Sequence, residues 1–133
     1  MEDIQVAFPG GMKVDVSLKG RVVHTDQPPH SGGGGEFPSP FDLFLASIAS
    51  CAGYYLLAFC RERNIDAREA GVRMSLERDP ERKMISGIAL ELNLPPGFPE
   101  KYRAAVVRAV DACSVKAHIL RPPDFRISVR PAD

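Results

Sequence analysis

Pro38-Ser39-Pro40-Phe41-Asp42-Leu43-Phe44-Leu45-Ala46-Ser47-Ile48-Ala49-Ser50-Cys51 is the stretch that organises the chain. Ser39 is a good N-cap, Pro40 suits the first helical position, and Asp42 follows Ser39 by three, as in a capping box. The helix is predicted to run to about Arg63, with Asn64 as its C-terminal stop. From Leu43 to Cys60 it carries no charge over 18 residues, which touches the lower limit for a membrane span. A buried core helix has the same appearance, and Ser47, Ser50, Gly53, Tyr54 and Tyr55 dilute the apolarity. No membrane is therefore expected. A helix apolar on all sides is also what results when two subunits wrap it, so a homodimer with an extensive apolar interface is expected.

Upstream, Asp26 to Pro40 holds Pro28, Pro29, Gly32 to Gly35, Pro38 and Pro40; it reads as a flexible surface loop. Before it, Ile4 to Phe8 is a short strand candidate. Pro9-Gly10-Gly11 is a turn, and Met12, Val14, Val16 and Leu18 alternate with polar residues. Lys19-Gly20 is a second turn, followed by a strand from Arg21 to His24. Downstream, Val72, Met74 and Leu76 alternate, as do Ile85, Ile88, Leu90 and Leu92 with a break near Gly87, so another hairpin is expected around Asp79-Pro80. Glu100 to Cys113 has helical spacing, Ser114 to Leu120 a shorter helix, and Phe125, Ile127 and Val129 a last strand. Grouped strands and helices argue an α+β fold, here a single domain over residues 1–133.

Lys+Arg and Asp+Glu are equal at 17 each, and the formal charge is zero; this argues against a nucleic-acid partner or a membrane-surface patch. Glu2 and Asp3 occupy the place where a signal peptide would be basic. Three cysteines, an odd and loosely spaced count, do not form a disulfide framework. A reducing cytoplasm is expected. His24, His30 and His118 lack metal-ligand spacing, so neither a metal nor another cofactor is expected. The run Gly32 to Gly35 lacks the Gly-Lys-Ser/Thr ending of a phosphate loop.

The Pro38–Cys51 stretch, a Gly/Pro-rich loop leading into a small-residue helix with a cysteine, resembles the signature of the OsmC/Ohr family. Ala112-Cys113-Ser114-Val115-Lys116-Ala117-His118 is similar to that family's second cysteine segment, and the order of elements matches over nearly the whole chain. The resemblance implies an OsmC-like fold, with antiparallel sheets around a long central helix in an intertwined homodimer. It also implies reduction of organic hydroperoxides by a two-cysteine cycle, with Cys51 attacking, Cys113 resolving and a dithiol as reductant. In the peroxidase subgroups a glutamate ten residues before the first cysteine pairs with an arginine. Here Phe41 stands at that position, with Asp42 beside it.

Such chemistry needs a thiolate, a group to hold it, and a second thiol in reach. Arg21, the only arginine before the helix, is the candidate cation, and Asp42 the candidate carboxylate to hold it. The other reading of Asp42 is the helix cap, and of Arg21 an exposed strand residue. Cys51 and Cys113 are open to a second reading as buried small hydrophobes. Cys60 lies nine residues after Cys51, about 180° away on an ideal helix, and reads as packing. A binding or redox-sensing dimer is the alternative to an enzyme. Its apolar cleft would hold a small hydrophobic ligand lined by Phe41, Phe44, Tyr54 and Tyr55. A dimer without chemistry of its own is the third reading.

Overall fold

A computed structural model describes residues 3–131; Glu2, invoked above for the start of the chain, lies outside them. The architecture is α+β, with two small antiparallel sheets and a long helix. The chain divides into two compact units, residues 1–47 and 48–133, with the boundary inside the long helix.

In the first unit, β1 (Gln5–Ala7), β2 (Val14–Leu18) and β3 (Arg21–Thr25) form a meander in the order β1-β2-β3. The register places Val16 opposite both Val6 and Val23, and Leu18 opposite Arg21 across the Lys19-Gly20 turn. Thr25 is buried and donates its hydroxyl to the carbonyl of Val14 at 2.7 Å.

The glycine-rich stretch after β3 is not the loose loop that its composition suggests. Asp26 is 1% exposed, and its carboxylate accepts from the backbone N–H of Gln27 at 2.7 Å and of Glu36 at 3.1 Å. The loop thus wraps one buried anion and satisfies it with its own amides, as buried charge requires. Asp26 N–H donates to Pro38, and Gly35 N–H to Gln27, closing the base of the loop. A side chain at Gly33 would put its Cβ 1.9 Å from the Gln27 carbonyl oxygen, so only glycine fits there. Lys13 pairs with Glu36 at 2.9 Å and ties the loop to the β1–β2 connection.

α1 (Pro40–Glu62) begins with a reciprocal capping box: Asp42 N–H donates to Ser39 Oγ at 3.1 Å, and Ser39 N–H to Asp42 Oδ2 at 3.0 Å. It ends in a Schellman motif. Asn64 takes the left-handed conformation (φ 55°), Ile65 N–H donates to Cys60 and Asn64 N–H to Arg61. Among the described residues it is the one helix long and apolar enough to cross a membrane by length and composition.

In the second unit, Ile48, Ala52, Leu56, Phe59 and Cys60 make a buried stripe along α1, at the spacing one helix face requires. Ala52 through Cys60 pack with Val106 and Val110 of α2 (Arg103–Asp111), with Val72, Leu92, Phe98 and Tyr102 closing the cluster. Arg63 lies over the Phe59 ring at 3.5 Å and donates to the Phe59 carbonyl at 3.1 Å, a cation–π contact that ends the stripe. β4 (Gly71–Asp79) and β5 (Met84–Asn93) form the expected hairpin, pairing Val72 with Leu92, Met74 with Leu90 and Leu76 with Ile88. The break near Gly87 is a register shift between Glu77 and Arg78, which inserts Ser86 as the extra residue of a bulge.

Two expectations need correction. The helix expected from Glu100 to Cys113 is a 3₁₀ turn at Glu100–Tyr102 followed by α2, which stops at Asp111. Cys113 then precedes α3 (Ser114–Leu120) in a non-helical conformation, φ −54° and ψ 126°. The last strand does not form: residues 122–131 carry no regular structure, with Phe125, Ile127 and Val129 86%, 97% and 90% exposed. Alternation gives a segment the faces of a strand, but a strand also needs an edge to bond to, and among the described residues this segment has none.

Candidate active site

The break between α2 and α3 positions the chemistry. The chain leaves α2 at Asp111, turns through Ala112 and Cys113, and re-enters a helix at Ser114. The turn points Cys113 inward, where it is buried, and brings the start of α3 against Cys51. Cys51 sits on the flank of the buried stripe of α1 and is half-buried. Ile48 and Ala52, one turn before it and one residue after, are in that stripe.

Cys51 and Cys113 are both free thiols, and an interaction between their side chains links their titration. Ser114 Oγ lies 4.0 Å from Cys51 Sγ. Burial alone would push the Cys51 thiol up. Hydrogen bonds from the Cys113 side chain, the Val115 N–H, the Ser114 hydroxyl and the Ser114 N–H more than offset it, and the Cys51 pKa lies below that of an ordinary cysteine. Cys113 moves the other way, raised by burial and by its bond to Cys51. In this pair Cys51 is the sulfur that gives up its proton more readily, and Cys113 the one that keeps it. Cys60 is fully buried in the core, with its pKa raised by burial against the opposing Arg63; it takes no part in the pair.

Beside the pair lies an apolar cavity of about 350 Å³. Ile48, Leu90, Leu92, Val107, Val110 and Ile119 supply most of its wall, Cys113 is part of it, and Asp111 and Lys116 are its charged lining. The last two form an ion pair with each other. The volume is in the range of small-molecule sites.

The structure places the remaining sequence-predicted residues as follows. Tyr54 and Tyr55 do not line this cavity: Tyr54 is exposed, and Tyr55 packs on the core cluster, their rings meeting edge to face at 5.2 Å. Phe41 and Phe44 are exposed and pair with each other at 5.5 Å. Arg21 is an exposed residue at the start of β3. The Asp42 carboxylate bonds the Ser39 amide, so its capping role is occupied. Among the described residues no group of His, Cys, Asp and Glu could hold a metal ion. His24 bonds Asp15 at 2.7 Å, and His118 bonds the Ser114 carbonyl at 2.7 Å.

Sequence reasoning missed the donors at Ser114 and Val115 and the cavity wall. A serine immediately after the second cysteine, at a helix start, was the available signal for the first. The wall is made by β5, α2 and α3 together, and no local pattern marks it.

The family model for OsmC-like protein matches residues 33–128, most of the chain and both cysteine segments. The chain belongs to the OsmC-like family. Solved structures agree on the fold. A Psychrobacter arcticus protein described as an osmotic-stress-induced and detoxification-response protein superposes with a TM-score of 0.72 at 21% identity, covering 88% of this chain and 87% of its own. An organic hydroperoxide resistance protein OsmC from Legionella pneumophila gives 0.58 at 22%, covering 88% and 87%. The organic hydroperoxide resistance protein OhrB of Bacillus subtilis gives 0.54 at 24%, covering 87% and 88%. Comparison with curated proteins returns no match.

Proposed function

We propose that this OsmC-like protein is a cytoplasmic thiol peroxidase that reduces organic hydroperoxides in the response to oxidative stress. The observation that carries the reading is the placement of the two thiols: a half-buried Cys51 lies against Ser114, the residue that follows the buried Cys113, with the Cys51 pKa lowered and that of Cys113 raised. The Cys51 thiolate attacks the distal oxygen of the hydroperoxide; the O–O bond breaks, the alkoxide takes a proton and leaves as alcohol, and Cys51 becomes a sulfenic acid. The Cys113 sulfur then attacks the Cys51 sulfur. An S–S bond forms, and the sulfenic oxygen leaves as water with the Cys113 proton. A dithiol reductant returns both thiols by exchange. The apolar cavity with Cys113 in its wall suits an organic substituent better than hydrogen peroxide. No metal or cofactor enters the cycle. Arg21 remains the candidate cation for the thiolate, with Asp42 its candidate anchor, and the active form is a homodimer.

The test is consumption of cumene hydroperoxide with dithiothreitol, comparing the native chain with Cys51→Ser and Cys113→Ser. Cys51→Ser should abolish turnover; Cys113→Ser should permit one oxidation of Cys51 and then stall. Native turnover no faster than that of Cys51→Ser would overturn the reading. The cavity itself favours a second one, a carrier or sensor of a small hydrophobic ligand held by Ile48, Leu90, Leu92, Val107, Val110 and Ile119. In that case an apolar fluorophore should bind the chain while peroxide is left intact.

A further inference from the structure

We propose that Ser114 is a catalytic hydrogen-bond donor to Cys51, holding its thiolate from the first turn of α3. The inference deepens the thiol-peroxidase reading and rests on it for the word catalytic; the contact does not. Ser114 Oγ is 4.0 Å from Cys51 Sγ, at the outer limit for an O–H···S bond and able to shorten when sulfur carries charge, as charge-assisted bonds do.

Three observations point to that role for the hydroxyl. First, Ser114 is exposed, so its side chain fills no core space, and packing does not account for a serine there. Second, it is not the cap of its own helix. Cys113 occupies the N-cap position and makes no side-chain cap bond, while the Ser114 hydroxyl is turned to the sulfur. Third, the residues on either side, Cys113 through its side chain and Val115 through its backbone N–H, act with it to lower the Cys51 pKa. Consecutive residues thus bear on one sulfur, and the non-helical Cys113 between α2 and α3 lets them do so.

The experiment follows alkylation of Cys51 by iodoacetamide from pH 5 to 10, with the Cys51 peptide quantified by mass spectrometry in the full-length chain. Ser114→Ala should shift the pH midpoint upward and slow alkylation at pH 7 by roughly three- to tenfold, the loss of one long, solvent-exposed hydrogen bond. Ser114→Thr, which keeps the hydroxyl, should restore the native midpoint. An unchanged midpoint in a folded Ser114→Ala chain overturns the assignment, as does a Ser114→Thr chain that behaves like Ser114→Ala. Peroxide turnover is measured alongside. If native Cys51 shows the shift but the native chain consumes no peroxide, Ser114 still holds the thiolate and the peroxidase reading is what fails.

Discussion

At the scale of single residues, the contrast among the three cysteines gives the first prediction. Cys51 has donors and exposure, Cys113 keeps its proton, and Cys60 is sealed. Limited alkylation at neutral pH should label Cys51 first and leave Cys60 unlabelled until the protein is unfolded; early labelling of Cys60 in a folded sample would contradict the packing described. Removing the strongest donor in Cys113→Ala should raise the Cys51 pKa and slow its alkylation, and Arg21→Ala should do the same if that guanidinium serves the thiolate. A second prediction concerns Asp26, whose pKa is lowered by the Gln27 amide against the cost of burial, with Glu36 and Gly34 amides adding to it. A depressed carboxylate contributes stability above its unfolded pKa of about 3.9 and loses it as pH falls through the folded value. The stability gap between the native chain and Asp26→Asn should therefore be widest near neutrality and close in strong acid, as read by thermal melts over that range. The pair Cys51 and Cys113 could be picked out in the sequence because family-specific motifs surround each. Asp26 could not: an aspartate before Pro-rich sequence looks solvent-facing, and only the folded loop shows the amides that turn toward it.

Elements defined by their ends were the ones legible in advance. Ser39, Pro40, Asp42 and Asn64 each act within a few residues of where they stand, so the limits of α1 follow from local chemistry. Ser39→Ala should cost about 1 kcal/mol and lower Tm by about 4 °C, with Cys51 alkylation unchanged because the cap lies far along the helix from the sulfur. A loss below about 0.3 kcal/mol in denaturant titration would mean that the box contributes little. The hairpins were legible for the same reason, through turns and alternation. What sequence could not supply were features that depend on a distant partner. Glu100 to Cys113 has continuous helical spacing, yet α2 stops at Asp111 so that Cys113 can face α1. Phe125, Ile127 and Val129 alternate as a strand should, yet have no edge to join.

For the whole molecule, the apolar surface is the informative quantity. Phe41, Phe44, Tyr54 and Leu57 of α1 are exposed, and so are Phe125, Ile127 and Val129. Soluble monomers seldom leave so many large apolar side chains in water, so we expect a homodimer with an interface on the order of 2,000 Å² or more. Sedimentation velocity at micromolar concentration should give the dimer, and Leu57→Asp should shift it toward monomer; a native chain that sediments as a monomer would rule this out. The Cys51–Cys113 pair has one more consequence. These sulfurs stand on α1 and at the α2–α3 junction, so a covalent bond between them would close a loop of roughly sixty residues and remove on the order of 4 kcal/mol of chain entropy from the unfolded state. Scanning calorimetry should then find the oxidised chain melting on the order of 10 °C higher than the reduced one. Exposure to peroxide would be recorded as heat resistance, and a reducing agent would erase the record.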